Sequence, residues 1–90
     1  MTTVKLPGAL RQYSDGAATA DVPAGSLAAV LDAVDARFPR LVGRVRDEQG
    51  ALRRFVNVYV DGVDARESGG LTTPVADGAE VLILPSVAGG

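Results

Sequence analysis

Small residues at the C-terminal end of the chain are the ones whose types and spacing favour chemistry. Val87, Ala88, Gly89 and Gly90 follow an apolar segment and a proline. Glycine has no Cβ atom, so a terminal carboxylate carried on two glycines can pass through a narrow channel and approach a nucleotide phosphate closely. Longer side chains in place of Val87 or Ala88 would clash in such a channel. We therefore expect the carboxylate of Gly90 to be the reactive group of a protein that serves other enzymes as a substrate.

The segment before these residues indicates where the folded part of the chain ends. Residues 81–84 are apolar and are typical of a final core strand, and Pro85 has no N–H group with which to continue strand pairing. The sequence therefore predicts a folded domain over residues 1–84 and a flexible tail over residues 85–90. At about 3.3 Å per extended residue, that tail would reach about 20 Å from the domain. The alternative is a frayed terminus without a role.

Two amino-acid types that carry much of enzyme chemistry are missing, since the sequence contains no cysteine and no histidine. Without cysteine, the chain offers no disulfide, thiolate ligand or thiol nucleophile. Without histidine, it lacks the commonest general base near neutral pH and the commonest metal ligand. The Asp, Glu, Lys and Tyr residues form no convergent set in the sequence. We therefore expect a protein that is not an enzyme and that binds no metal or cofactor.

Charge and hydropathy limit the partners and the cellular location of the chain. Nine basic and eleven acidic residues give a net charge of −2, without a run of lysine or arginine, so nucleic acid is not an expected partner. No apolar segment approaches the roughly eighteen residues of a transmembrane helix. The N-terminal residues lack the charged and apolar regions of a secretory signal. These features predict a cytoplasmic protein that is a monomer when alone and has no membrane partner.

One helix is predicted by the spacing of apolar residues after Ser26, which is a favourable N-cap. Apolar residues then recur at intervals of three or four positions and form one stripe, as in a helix with one buried face. They are Leu27, Val30, Leu31, Val34 and Phe38. Pro39 follows, and the residue before a proline avoids the helical region of backbone conformation. The helix is therefore expected over about residues 26–38.

Alternating apolar residues and turn signals predict the strands. We expect a hairpin from residues 3–7 and 18–22, a central strand over 55–60, a short return strand over 63–66 and a last strand over 81–84. Asp61 and Gly62 favour the positive φ angles of a type I′ turn. Residues 40–52 are expected to form an irregular connection with one helical turn at 41–45. One helix against a mixed sheet of about five strands is an α+β arrangement of the β-grasp, or ubiquitin-like, type.

The same alternation divides the side chains of the central strands between opposite faces of the sheet. Facing the helix, we expect Val56, Val58, Val60, Val81 and Ile83. On the opposite face, partly exposed, we expect Phe55, Tyr59, Leu82 and Leu84, and the predicted partner-binding surface also includes Arg54 and Pro85. Exposed apolar clusters often mark protein-binding sites. The alternative is that residues 40–52 fold over this cluster. Arg53, Arg54 and Arg66 are either partners for acidic groups of another protein or solvated charges.

Two segments of the sequence resemble the ubiquitin-like sulfur carriers of the ThiS/MoaD superfamily. The first is Phe-Val-Asn-Val-Tyr-Val-Asp-Gly at residues 55–62, with Asp64 and Arg66. The second extends from Thr73 through Asp77 and Gly78 to the ending Leu-Pro-Ser-Val-Ala-Gly-Gly. That ending and the turn at residues 69–71 are most similar to the CysO-type carriers. Ile83 and Leu84 stand where a pair of aromatic residues is common in the molybdopterin-synthase branch, which makes the likeness to that branch weaker.

The resemblance implies how Gly90 would react. An E1-like enzyme would use ATP to adenylate the Gly90 carboxylate, and a sulfur donor would displace AMP to leave a C-terminal thiocarboxylate. An acceptor enzyme, either a cysteine synthase that depends on pyridoxal phosphate or an enzyme of the thiosugar-synthase type, would then take the sulfur. ATP would thus belong to the activating enzyme, and the carrier would hold only its covalent sulfur.

Three other functions remain open at this point. The chain is alternatively the small subunit of a molybdopterin synthase, a ubiquitin-like modifier that forms isopeptide bonds through the same tail, or an interaction subunit whose tail is inert. Deletion of Gly90 would abolish the function of any protein that reacts through its terminal carboxylate and would leave a structural subunit unaffected.

Overall fold

The structure, a computed structural model, describes residues 1–85, within which seven strands and one α-helix form. In chain order they are β1 (Thr2–Lys5), β2 (Thr19–Val22), β3 (Gly25–Ser26), α1 (Leu27–Arg37), β4 (Val56–Val60), β5 (Val63–Asp64), β6 (Pro74–Val75) and β7 (Glu80–Pro85). Short 3-10 helices occur at Gly8–Tyr13, Pro39–Leu41, Ala65–Glu67 and Gly70–Thr72.

The main sheet has five strands in the order β2-β1-β7-β4-β5, so the last strand in the chain lies in the middle. Strands β1 and β7 pair in parallel, and the other neighbours pair antiparallel, which makes the sheet mixed. With α1 on one face, this is the β-grasp fold that the sequence predicts. A separate pair of two-residue strands, β3 and β6, was not predicted.

Helix α1 begins and ends where its sequence signals predict. The Ser26 hydroxyl accepts a hydrogen bond from the Ala29 amide at 3.1 Å, which satisfies one of the free N–H groups of the first turn. Phe38 ends the helix before Pro39, and the predicted stripe of five apolar residues is buried against the sheet. Within residues 1–85, no helix has the length and the apolar character needed to cross a membrane.

The hairpin between β4 and β5 has the predicted turn but a shorter return strand. Asp61 and Gly62 adopt φ angles of 48° and 84°, as a type I′ turn requires. Only Val63–Asp64 pairs with β4, because the chain then turns into the 3-10 helix Ala65–Glu67. The Asp64 carboxylate accepts a hydrogen bond from the Arg66 amide at 2.9 Å and so caps that helix.

Strand β7 includes Pro85, one residue beyond the predicted end, although proline cannot donate a hydrogen bond. Its partner in the ladder is Val56, whose backbone groups bond elsewhere. The Val56 amide donates to the Arg53 carbonyl at 3.1 Å, and the Val56 carbonyl accepts from the Arg66 guanidinium at 2.7 Å. Val56 and Pro85 form a non-hydrogen-bonded pair of the ladder, so the missing N–H of Pro85 costs no bond with β4, and Arg66 binds Val56 on the side of β4 away from β7.

The connection between α1 and β4 packs on the helix side of the sheet. Its helical turn is at Pro39–Leu41, slightly earlier than predicted, and Leu41 and Val45 are buried in the core. The Arg46 guanidinium forms ion pairs of 2.8 Å with both Asp32 and Asp35 of α1. Burial lowers the pKa of Arg46, but its hydrogen bonds and Coulombic attraction to the two carboxylates outweigh that effect and raise the pKa above its ordinary value.

Candidate partner-binding face

The two faces of the central strands differ sharply in exposure. On the helix side, Val58, Val81 and Ile83 are fully buried, as predicted, and Val56 and Val60 are also in the core. On the opposite side, Tyr59 and Leu82 are half-buried, and Leu84 has 39% of its surface exposed. The predicted alternative, in which residues 40–52 cover this side, is wrong, because Arg46 fastens that segment to α1.

Strand pairing brings Tyr59, Leu82 and Leu84 together, and we call these three residues the apolar patch. Tyr59 lies directly opposite Leu82 in the antiparallel register of β4 and β7, and Leu84 lies opposite Asn57. Side chains opposite each other on antiparallel strands are close enough to contact. The three side chains line an open depression of about 290 Å³ together with Gly62 and Glu80. Such a surface suits an apolar group of a partner protein.

The other predicted members of this surface lie at its margin. Phe55 precedes β4, has 52% of its surface exposed and lines a neighbouring depression with Asp47, Arg53 and Arg54 rather than the one at the apolar patch. The Arg54 guanidinium carbon lies 5.9 Å from the centre of the Phe55 ring, a cation–π distance. Pro85 is exposed and follows Leu84 directly.

A polar rim that sequence reasoning missed borders the patch. Lys5 of β1 lies beside Leu82 in the parallel register, and its ammonium group forms an ion pair of 3.3 Å with the Glu80 carboxylate. Each of these two side chains is about half exposed. Charged groups around an apolar centre are typical of protein interfaces. No local sequence signal places Lys5 here, because its position depends on β1 lying next to β7.

Arg66 is a structural residue of this face rather than a free charge. Its guanidinium donates to the Asn57 side-chain oxygen at 2.9 Å and to the carbonyls of Val56 and Arg53 at 2.7 and 3.1 Å. These bonds fix the beginning of β4 at the point opposite Pro85, where the chain leaves the described part of the fold. Neither interpretation of Arg66 from the sequence, a partner contact or a solvated charge, anticipates this role.

The residues predicted to react or to enter a partner's channel lie outside the described residues. They are Val87, Ala88, Gly89 and Gly90. What the structure shows is the strand that leads to them. β7 lies between β1 and β4 in the sheet; its pairing with β1 ends at Leu82, and its pairing with β4 extends to Pro85.

The fold and this face define a ubiquitin-like domain whose last strand leads past an apolar patch to a glycine-ended segment. The chain belongs to the ThiS family, whose sequence profile matches residues 4–90. It is 42% identical to the sulfur carrier protein CysO of Mycobacterium tuberculosis H37Rv over 90 residues, which cover 98% of this chain and 97% of that protein.

Two solved structures illustrate the range of similar proteins. A chain in the crystal structure of the BexX/CysO complex of Amycolatopsis orientalis matches with a TM-score of 0.92 and 38% identity over all of both chains. The solution structure of small archaeal modifier protein 1 from Methanosarcina acetivorans matches with a TM-score of 0.83 and 28% identity, covering 99% of this chain and 95% of that one. Similar folds thus occur in proteins named as carriers and as modifiers.

Proposed function

We propose that this protein is a sulfur carrier whose reactive group is the terminal carboxylate of Gly90. The observation that carries the proposal is the extent of the family match, which continues through residue 90 and so includes the glycine-ended segment. The similarity to the CysO carrier over nearly the full length of both chains supports the same assignment. The chain would act as a co-substrate of other enzymes and not as a catalyst.

The proposed chemistry exchanges one oxygen of Gly90 for sulfur. A carboxylate oxygen attacks the α-phosphate of ATP, and pyrophosphate leaves. A hydrosulfide equivalent then attacks the acyl carbon and AMP leaves, so that Gly90 ends in a thiocarboxylate. Its sulfur is ionised at neutral pH and is a good nucleophile, which an acceptor enzyme directs at a bound electrophile. Since the sequence has no cysteine, the carrier offers no thiol of its own that would divert the sulfur.

The fold contributes a rigid base for the reactive segment and a surface by which enzymes recognise it. Sites on strands are positioned more accurately than sites on loops. β7 is paired with β1 up to Leu82 and with β4 up to Pro85, so a partner that binds the apolar patch would hold the start of residues 86–90 in a defined place. Val87, Ala88 and Gly89 would then occupy the partner's channel, with Arg54 and Phe55 at its entrance.

Two kinds of partner follow from this chemistry. An E1-like enzyme would bind ATP and activate Gly90 in the cytoplasm, while the carrier itself binds no cofactor. An acceptor enzyme of the cysteine-synthase or thiosugar-synthase type would consume the thiocarboxylate. The BexX/CysO complex supports the expectation that a carrier of this fold docks on a partner protein, since one chain of that complex has nearly the same backbone as this protein.

The intact mass of the protein tests the proposal. The protein is incubated with ATP, sulfide and the E1-like enzyme of its own host, and a reaction without ATP is the control. We expect a mass gain equal to the exchange of one oxygen for sulfur, located in the fragment that contains Gly90. An unchanged mass, beside an established carrier that reacts with its own activating enzyme, would contradict the proposal.

A second candidate, a protein modifier, is favoured by the similarity to small archaeal modifier protein 1. Both functions begin with adenylation of Gly90 and differ in the nucleophile that displaces AMP. For a modifier, that nucleophile is an amine of another protein. Incubation in an extract of the host would then yield a series of covalent adducts that resist thiols, whereas a sulfur carrier would yield the thiocarboxylate alone.

A further inference from the structure

The guanidinium groups of two arginines stack on the ring of Tyr13 at the surface of the molecule. The guanidinium carbon of Arg44 lies 4.2 Å from the centre of the Tyr13 ring, and that of Arg40 lies 5.9 Å from it. Both are within the range of a cation–π interaction. Tyr13 is half-buried, whereas Arg40 and Arg44 are exposed. We call these three residues the Tyr13 cluster.

The polar atoms of the Tyr13 cluster have no partners among residues 1–85. The ion pairs in that part of the chain involve other basic groups, namely the N-terminus, Lys5 and Arg46. No side-chain hydrogen bond in residues 1–85 is made by Tyr13, Arg40 or Arg44. A guanidinium that stacks on a ring still presents the N–H groups of its edge, and these match a carboxylate in a two-bond geometry. The cluster is therefore ready to bind an acidic group.

The topology places the Tyr13 cluster at the same end of the sheet as Pro85, which is the last residue of β7. β1 and β7 are parallel, with Lys5 opposite Leu82, so the C-terminal ends of both strands lie at the same end of the sheet. The 3-10 helix Gly8–Tyr13 directly follows β1 and packs against Pro39–Leu41, which leads into Arg44. A protein that receives residues 86–90 must approach this end of the sheet.

We propose that the Tyr13 cluster binds an acidic segment of the enzyme that activates Gly90, separately from the apolar patch. The inference rests on the proposed function, because it takes the activating enzyme as the occupant. Arg40 and Arg44 form no ion pair within residues 1–85 and repel each other, and a carboxylate-rich segment offsets that repulsion. Charge complementarity of this kind speeds association and fixes orientation, and salt weakens it.

Charge reversal at Arg44 tests the inference. Binding of the fluorescently labelled protein to the E1-like enzyme of its host is measured at low salt and at about 1 M salt, where screening reaches about 3 Å. We expect Arg44→Glu to raise the Kd about tenfold or more at low salt and to have a much smaller effect at high salt. Tyr13→Leu, which removes the platform and keeps both charges, should raise the Kd by less.

Arg37→Glu is the matched control, because it makes the same change in net charge at an arginine that stacks on Phe38 and not on Tyr13. Arg37 stacks on Phe38 at 5.4 Å and donates to the Asp21 carbonyl, and it has no contact with Tyr13. We expect its Kd to stay within about twofold of the unaltered protein, and thermal unfolding will show that each variant folds.

The outcomes separate this inference from the proposed function. If the unaltered protein acquires the thiocarboxylate but Arg44→Glu and Arg37→Glu weaken binding equally, the effect is one of net charge and the docking inference is wrong. Weakening by Arg44→Glu that persists at 1 M salt would likewise contradict an acidic partner. If the unaltered protein neither binds nor reacts, both the inference and the proposed function are overturned.

Discussion

Ile83 and Leu84 are adjacent in β7 and differ little in size, but they belong to opposite faces of one sheet. Ile83 is fully buried beneath α1, whereas Leu84 has 39% of its surface exposed beside Tyr59 and Leu82. Full burial of an apolar side chain favours folding by about 1.5–3 kcal/mol, and the exposed part of Leu84 does not contribute to that gain. Strand β7 therefore has two roles. Its helix-facing residues stabilise the core, and its residues on the opposite face remain exposed for contact with a partner.

The face of the sheet opposite α1 remains uncovered because the connection between α1 and β4 packs on the helix side of the sheet. Arg46 fastens the connection to Asp32 and Asp35 of α1. The connection thus adds Leu41 and Val45 to the core and leaves the apolar patch uncovered. This packing is the physical reason why side chains on the two faces of the sheet differ in exposure.

The largest effect on stability is expected when the helix-facing side is altered. Ile83→Ala removes most of a fully buried side chain and leaves a cavity, which should lower the free energy of unfolding by about 2–5 kcal/mol. Urea denaturation followed by circular dichroism measures this change. Leu84→Ala is the control and should cost less than about 1 kcal/mol. Equal losses for the two variants would show that the faces do not differ as described.

A charge on the open face should impair recognition and spare the fold. We expect Leu84→Asp to lower kcat/KM for thiocarboxylate formation by about tenfold or more, because an apolar partner surface would have to desolvate the carboxylate. The decrease corresponds to about 1.4 kcal/mol or more in transition-state stabilisation. Mass spectrometry of timed samples gives the rates.

Val63→Asp is the matched control for that variant. Val63 has 49% of its surface exposed and lies opposite Val60 in the pairing of β4 and β5, on the side of the sheet away from the apolar patch. It should react at the rate of the unaltered protein. Normal activation of Leu84→Asp, or an equal loss in both variants, would exclude the apolar patch as the binding surface.

A smaller effect is expected at Gly62, which lines the open face but acts through the backbone. Its φ of 84° is strained for any residue with a Cβ, although an added Cβ would meet no atom within 4 Å. Gly62→Ala should therefore destabilise the protein by about 1–2 kcal/mol. The melting temperature measures this change. Gly8→Ala, at a position equally open but without a positive φ, should be neutral or slightly stabilising; a cost there equal to that at Gly62 would refute the backbone explanation.

Local patterns in the sequence predict α1, the type I′ turn and the division of β4 and β7 into two faces. Each feature is encoded within a few residues. The N-cap Ser26 and the apolar stripe after it predict α1, the pair Asp61-Gly62 predicts the turn, and the alternation of side chains predicts the two faces. Their prediction did not require knowledge of the strand order.

Features that depend on distant parts of the chain were not predictable in this way. The pairing of β3 with β6 involves two residues in each strand, too few for a periodic signal. The contacts of Arg66 with the beginning of β4, and of Arg44 with Tyr13, join segments that become neighbours only after folding. The same holds for Lys5 at the rim of the apolar patch, since that position follows from the central place of β7.

The reactive role of Gly90 is tested by comparing the full chain with a variant that lacks Gly90. Both are incubated with ATP, sulfide and the E1-like enzyme of the host, and their intact masses are measured. We expect the full chain to gain one sulfur in place of one oxygen and the shortened chain to gain none, while both melt at the same temperature. An equal mass gain in the two proteins would contradict the claim that Gly90 carries the reactive group.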